Sequence, residues 1–161
     1  MNSNRIGFSA IPALLLFAAL TLPAGNVAAQ DINSVAGTYT IVSQPAFGDN
    51  PRGQLTLDRN GRFSLIISRT SLPKFAAGAR DKGTAEENKA IVGGSIALFG
   101  KYSMDAKEPS ITFNIETCTY PNWDGTSQKR ALKVSGDQLS YTVSAPSGGG
   151  APVTAVWRRI K

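Results

Sequence analysis

Residues 53–69 read GQLTLDRNGRFSLIISR and carry the clearest structural signal in the chain. Apolar and polar residues alternate on both sides of Asn60-Gly61, and Phe63, Leu65 and Ile67 fall on one face of the second run. Successive side chains of a strand point to opposite faces, and Asn-Gly between alternating runs is the strongest short hairpin signal. The stretch therefore predicts a β-hairpin, with strands at residues 54–58 and 62–69.

The same pattern extends along most of the chain, where short alternating runs are separated by turn signals. Such spacing is typical of an all-β sandwich or barrel. The runs predict strands at residues 38–43, 54–58, 62–69, 96–104, 110–119, 129–134, 138–144 and 153–160. Short links imply antiparallel neighbours, and a closed sheet of eight strands can hold one small ligand. We therefore expect an eight-stranded antiparallel up-and-down barrel.

One segment departs from the strand pattern and predicts a short helix near residues 85–92. Thr84 is followed three residues later by Glu87, which fits a capping box in which each side chain bonds the backbone of the other. Gly93-Gly94 is expected to end this helix. A single helix in a β-chain most simply covers an opening of the barrel or packs on a sheet.

The first 29 residues have the three parts of a secretory signal peptide. Arg5 lies in a short polar start, an apolar run covers residues 8–22, and the small residues Val27-Ala28-Ala29 precede Gln30. A membrane anchor is the rival interpretation, but roughly 20 apolar residues are needed to span a bilayer. We expect cleavage after residue 29, a single domain at residues 30–161, and a periplasmic or secreted protein.

The amino-acid composition excludes several kinds of metal and catalytic site. The chain has no histidine, one cysteine (Cys118) and a net charge of +6. Zinc and transition-metal sites need several nitrogen or sulfur ligands, and Ser–His or Cys–His nucleophiles need a histidine. Nucleotide-binding motifs are absent, so we expect no metal and no cofactor. The basic residues are scattered without interleaved aromatics, so nucleic acid is not an expected partner. The oligomeric state is left open.

Several segments occur in an order that is familiar. They are residues 35–39 (VAGTY), residues 53–64 (GQLTLDRNGRFS), residues 99–102 (FGKY), residues 121–126 (PNWDGT) with Gln128 and Arg130, residues 137–139 (DQL) and residues 157–159 (WRR). Together they resemble the bacterial and fungal lipocalin-like domain family, which is distinct from the animal lipocalins. The resemblance implies an up-and-down barrel with a central cavity and does not imply one activity. Members often carry one or two histidines on the strand that holds Phe113 and Asn114, whereas this chain has none.

Polar groups at alternating strand positions are the candidate ligand-binding residues. They are Tyr102, Asn114, Glu116, Trp123, Arg130 and Tyr141. In one interpretation Glu116 and Arg130 pair inside the barrel and, with the tyrosines, orient one polar end of an otherwise apolar ligand. In the other, Asn114 and Glu116 form the solvated outer wall. Trp123 either guards the barrel mouth or plugs the end of the core.

Three functions remain open on this basis. The first is an exported protein that binds a small apolar or amphipathic molecule in the barrel cavity. The second is a cofactor-free enzyme of the isomerase or cyclase type, with Glu116 as base and Tyr102 or Tyr141 as proton donor. It requires a raised pKa for Glu116 inside a closed cavity. The third is a structural or protein-interaction barrel, which a filled interior would favour.

Overall fold

The computed structural model of the chain describes residues 31–161 and shows a closed barrel of eight strands, with the strand order β1 to β8. Every strand is antiparallel to its neighbours, and β8 closes the barrel on β1. The strands are β1 Gly37–Ser43, β2 Arg52–Leu57, β3 Arg62–Ser68, β4 Ser95–Met104, β5 Ser110–Cys118, β6 Ser127–Ser135, β7 Gln138–Val143 and β8 Val153–Arg159. The predicted fold class is confirmed. The expected signal peptide lies outside the described residues.

Two short α-helices accompany the strands, α1 at Ile32–Val35 and α2 at Ala85–Gly94. The predicted capping box of α2 is present, since Thr84 Oγ1 accepts from Glu87 N at 3.2 Å and Glu87 Oε2 accepts from Thr84 N at 2.8 Å. The helix runs through Gly94 rather than ending before Gly93. The Gly94 carbonyl accepts a hydrogen bond from Arg69 N at 2.8 Å. This bond joins the C-terminal end of α2 to the residue that follows β3. No helix within residues 31–161 is long and apolar enough to cross a membrane.

The predicted hairpin between β2 and β3 is present and held by its own turn residues. Asp58 Oδ1 accepts hydrogen bonds from the backbone N–H of Asn60 at 2.8 Å and of Arg62 at 2.7 Å. Gly61 adopts φ +78°, a left-handed conformation that glycine takes without the steric cost other residues incur. The turn chemistry therefore sets the register of the whole hairpin, from Arg52↔Ser68 to Leu57↔Phe63.

The two ends of the barrel differ. Short turns at residues 58–61, 105–109 and 136–137 lie at one end, the turn end, and α1 closes it. Tyr39 donates its hydroxyl to Val35 O at 2.6 Å, and Arg159 Nη2 donates to Ser34 O at 2.9 Å. The opposite end, the loop end, carries four longer connections at residues 44–51, 69–94, 119–126 and 144–152. The interior cavity described below lies at the loop end.

Aromatic side chains fill much of the interior. Phe63 and Phe113 pack edge to face with ring centroids 4.7 Å apart, Phe113 and Tyr141 lie 5.4 Å apart, and Tyr141 and Trp157 lie 6.4 Å apart. All four rings are buried. Full burial of one such side chain contributes about 1.5–3 kcal/mol. This chain of rings stabilises the barrel and occupies space that an open lumen would leave to a ligand.

The pairing of β4 with β5 contains an irregularity at Phe99 and Gly100, where the register shifts. Phe99 points outward and is exposed, whereas Gly100 is buried. A Cβ atom on Gly100 would overlap the carbonyl oxygen of Asn114 and lie 2.9 Å from Glu116 N. Close approach of two backbones is a recognised reason for glycine within a strand.

Candidate functional site

A cavity of about 40 Å³ lies inside the barrel at the loop end. Its wall is mostly apolar and includes Phe47, Ile67, Ile96 and Val143. A buried water needs about 10–15 Å³, and pockets that enclose a drug-sized ligand measure about 300–1,000 Å³. The central cavity that the family resemblance implies is therefore present, and it has room for a few waters or the head group of a ligand.

Arg130 is the charged residue of this cavity wall. It lies on β6 in phase with Leu132 and Val134, whose side chains also face inward, and only 5% of its surface is exposed. The centre of its guanidinium is 4.9 Å from the Phe113 ring centroid and 5.0 Å from that of Tyr141. Such cation–π contacts contribute about 2 kcal/mol each when the cation is desolvated. Aromatic faces thus provide part of the stabilisation that water would otherwise give.

No carboxylate neutralises Arg130. Its Nη2 donates to the neutral Gln128 amide oxygen at 2.7 Å, and its Nε has no hydrogen-bond partner. No Asp or Glu between residues 31 and 161 lies within 4.0 Å of its guanidinium nitrogens, and residues 1–30 contain neither residue type. Burial lowers the pKa of the guanidinium, yet arginine side chains keep their proton in proteins. A buried, uncompensated positive charge therefore faces the cavity.

Gln44 adds a second unpartnered polar atom to the same wall. It follows β1, is buried, and its Oε1 accepts no hydrogen bond from the described residues. The 3₁₀ turn Pro45–Phe47 comes next and places the buried Phe47 ring beside the cavity. Tyr141 lies opposite, and burial raises the pKa of its hydroxyl, against the smaller opposing effect of Arg130. The site thus combines apolar walls with a cation, an amide and a neutral phenol.

A surface cleft of about 230 Å³ adjoins the cavity and shares Phe47, Ile96 and Gly148 with it. Its outer rim is formed by Val92 of α2 and by Tyr120. Val92 is 76% exposed, so an apolar side chain faces solvent beside an apolar cleft. The helix therefore contributes to the barrel mouth through its C-terminal end.

A second cleft, of about 300 Å³, reaches the site from the side of the barrel. β7 pairs with β6 only from Leu132 to Ser135, so residues 127–131 of β6 have no partner on that side within the described chain. The cleft occupies this gap and is bordered by Trp123, Gln128 and Arg130. Trp123 and Arg130 border both this cleft and the interior cavity and separate the two.

The structure brings three of the six candidate residues together at the cavity, namely Trp123, Arg130 and Tyr141. Tyr102 lies elsewhere, because its hydroxyl donates to Asp58 O at 2.7 Å in the hairpin turn at the turn end. Trp123 is half-buried at the loop end and packs on Tyr120, with ring centroids 5.7 Å apart. It packs against the core and also borders the cavity.

Asn114 and Glu116 are exposed on the outer wall. Glu116 accepts hydrogen bonds from Arg62 Nη1 at 2.6 Å and Nη2 at 3.0 Å, and this pairing holds the pKa of its carboxyl below the usual value. Of the two interpretations left open, the solvated outer wall is the one that the structure shows for Asn114 and Glu116. Glu116 does not pair with Arg130, because Ile111 is the β5 residue opposite Arg130 and the Glu116 side chain points outward. The hypothesis of Glu116 as an interior base with a raised pKa is wrong for the same reason.

Gln44, Phe47 and Val92 are site residues that the sequence analysis did not single out. Gln44 and Phe47 follow the last residue of β1, where strand alternation no longer says which way a side chain points. Val92 carries a weak signal, since it follows Ile91 in an apolar pair near the end of a helix whose first turns carry Glu86, Glu87 and Lys89. Their role depends on how the loops fold over the barrel end.

Cys118 is buried and unbridged at the end of β5. Burial raises the pKa of its thiol, so the neutral form is favoured. No group of three or more His, Cys, Asp or Glu side chains in residues 31–161 is arranged to hold a metal ion.

Comparison with known families agrees with the barrel. The sequence model described as lipocalin-like domain matches residues 31–160. The chain belongs to the lipocalin-like domain family. Comparisons with curated proteins and with solved structures found no match. Membership in the lipocalin-like domain family supports a ligand-binding barrel in general, and the particular ligand has to be inferred from the site.

Proposed function

We propose that this protein is exported and binds a small amphipathic molecule at the loop end of its barrel. The polar end of the ligand enters the interior cavity, and its apolar part lies in the cleft beside Phe47 and Val92. The observation that carries this proposal is a mostly apolar cavity whose wall holds two buried, unpartnered polar atoms, Gln44 Oε1 and Arg130 Nε.

Unpartnered polar atoms support the presence of a ligand site because each of them destabilises the ligand-free folded protein. Leaving a buried donor or acceptor without a partner costs about 1–3 kcal/mol, and an unpaired buried charge costs several kcal/mol. Both atoms border a space that admits small groups. A polar ligand group, or water in its absence, can satisfy them there, whereas a change to apolar residues would remove the cost entirely.

The apolar part of the ligand is assigned to the cleft at α2 rather than to the gap between β6 and β7. The cleft at α2 is lined by Phe47, Val92, Ile96 and Tyr120. The gap is bordered largely by polar side chains, including Gln128 and Lys129. A concave, largely apolar surface with few polar groups is the usual form of a small-molecule site.

A structural or protein-interaction role is the second candidate, and the aromatic filling of the interior favours it. Ile66 and Phe99, both exposed on the outer wall, would then lie in the surface that contacts a partner protein. This role gives no reason for a buried cation without a counter-ion beside a cavity. The binding proposal accounts for both the filled interior and Arg130, because only a head group needs to enter.

Displacement of the fluorophore Nile red by octanol tests the proposal. We expect octanol to displace Nile red saturably from one site on the purified protein. Val92→Gln removes apolar surface from the cleft and should weaken octanol binding several-fold. Ile66→Gln is the matched control, since it changes another exposed apolar residue, 55% exposed on the outer wall, and should bind like the parent protein.

Two results would contradict the proposal. One is the absence of saturable displacement by octanol and by octanoate. The other is an equal effect of Val92→Gln and Ile66→Gln, which would place binding outside the cleft.

A further inference from the structure

We infer that the site selects apolar monocarboxylates, with the ligand carboxylate paired to the guanidinium of Arg130. The inference rests on the proposed function and adds the chemical class of the ligand. Its basis is the charge and hydrogen-bonding state of one buried side chain.

The first argument is charge balance. Arg130 is the cation that borders the interior cavity, and no carboxylate of the described chain pairs with it. Its neighbour Lys129 points outward and is paired with Asp105 at 3.0 Å and Glu108 at 3.2 Å. One buried positive charge is balanced by one negative charge. A ligand dianion would bring a second charge for which the cavity wall offers no cation.

The second argument is the geometry of the donors. Nε–H is unpartnered, and Nη2 carries two hydrogens, one of which goes to Gln128. Adjacent N–H groups of a guanidinium form a planar fork that matches the two oxygens of a carboxylate. The contact with the Phe113 ring uses the charge without consuming an N–H group, whereas Tyr141 is also a hydrogen-bonding neighbour of the guanidinium. Nε–H is therefore the donor that remains for a ligand carboxylate, with the second hydrogen of Nη2 beside it.

The third argument is space. The cavity of about 40 Å³ has room for a compact head group, and the body of the ligand must lie outside it. The adjoining cleft of about 230 Å³ is bordered by Phe47, Val92 and Tyr120 and is suited to an alkyl or aryl body. The combination describes an acid with one carboxylate and one apolar arm.

Calorimetric titration with octanoate and octanol at neutral pH tests the inference, because the two ligands share the same chain and differ in charge. A hydrogen bond to a charged group contributes about 1.5–3 kcal/mol, so we expect octanoate to bind about 10–100-fold more tightly than octanol. Arg130→Met should remove this preference while octanol still binds. Arg130→Lys keeps the charge but lacks the fork and should retain only part of the preference.

Arg59→Met is the control, because Arg59 is exposed in the hairpin turn at the turn end and its loss should leave the preference unchanged. Equal binding of octanoate and octanol by the parent protein overturns the carboxylate inference and leaves the proposed function intact. A preference that survives in Arg130→Met also overturns the inference. Failure of both ligands to bind the parent protein overturns the proposed function and the inference together.

Discussion

Arg130 donates its Nη2 hydrogen bond to Gln128 Oε1, two residues earlier on the same strand, at 2.7 Å. A buried cation is thus held by a neutral amide and by aromatic rings rather than by a carboxylate. This arrangement stabilises a position for the charge without neutralising it.

Arg130→Met should stabilise the ligand-free protein. Replacing buried charges by apolar side chains of similar size is often neutral or stabilising by 1–4 kcal/mol, and we expect about 1–2 kcal/mol here because the cation–π contacts are lost. Urea unfolding of the parent protein and the variant measures the difference. A large loss of stability would instead make Arg130 a structural residue, and Arg59→Met reports the effect of removing an exposed charge.

Glu116→Gln should leave octanoate binding unchanged. The Glu116 carboxylate lies on the outer wall and pairs with the equally exposed Arg62, and exposed ion pairs contribute little to stability. Calorimetric titration of the variant checks this expectation. A loss of affinity comparable to that of Arg130→Met would show that Glu116 reaches the ligand.

Tyr102→Phe should alter the stability of the protein at alkaline pH. Burial, and next the charge of Asp58 and then Tyr39, raises the pKa of the Tyr102 hydroxyl from 10.0 to about 12. A pKa that is higher in the folded state gives stability that is present below pH 10 and is lost as the pH rises towards 12. The parent protein should start more stable than the variant by about 1 kcal/mol through the bond to Asp58 O, and this advantage should shrink and be lost as the pH rises through this range.

Tyr120→Phe is the control for the unfolding measurements on Tyr102→Phe at alkaline pH. Tyr120 is partly exposed at the loop end, so this variant reports the effect of removing a tyrosine hydroxyl outside the turn end. A parallel decline for the parent protein and Tyr102→Phe would mean that Tyr102 does not contribute to alkaline unfolding.

Gly100→Ala should destabilise the barrel. The added Cβ overlaps the carbonyl oxygen of Asn114 on β5, and overpacking of this kind typically costs about 1–3 kcal/mol. Gly93→Ala is the control, because nothing lies within 4 Å of the new atom in α2 and alanine should stabilise that helix by about 0.5–1 kcal/mol. Chemical denaturation measures the free energy of unfolding of both variants. A change of the same sign in both would contradict the close approach of β4 and β5.

Cleavage of the N-terminal segment should occur after Ala29. The exported protein is then expected to begin at Gln30, because small residues precede that position. Intact-mass measurement of the exported protein checks the site. Ala29→Phe should block cleavage, and an exported parent protein that retained residues 1–29 would contradict the assignment.

Much of the barrel follows from local sequence. Alternation gave the strands to within about two residues, Asn60-Gly61 gave the hairpin, and Thr84 with Glu87 gave the helix start, because each of these signals acts over a few residues. The extra turns at Ile32–Val35, Pro45–Phe47 and Pro121–Trp123 have only weak local start signals, a capping Asp31 for the first and an initial proline for the other two, and the sequence analysis did not predict them. They depend on contacts with the barrel ends.

Local sequence predicts only part of the candidate site. Arg130 shares its strand face with Leu132 and Val134, a pattern that places it inside, and Glu116 alternates with the buried Ile115, which places it outside. The pairing of strands decides which residues meet, and the register shift at Gly100 is not visible in alternation. The small size of the cavity depends on the packing of aromatic rings from four different strands.

The long connections all lie at the loop end, away from the short turns and α1 that hold the turn end together. Under the proposed function, ligand recognition and structural integrity therefore reside in different parts of the molecule. Loops positioned by a rigid scaffold accept insertions and substitutions that strands do not. If the proposed site is correct, exchange of the connections that carry Phe47 and Gly148 would change the ligand body that fits, while Arg130, which lies on a strand, would keep its position.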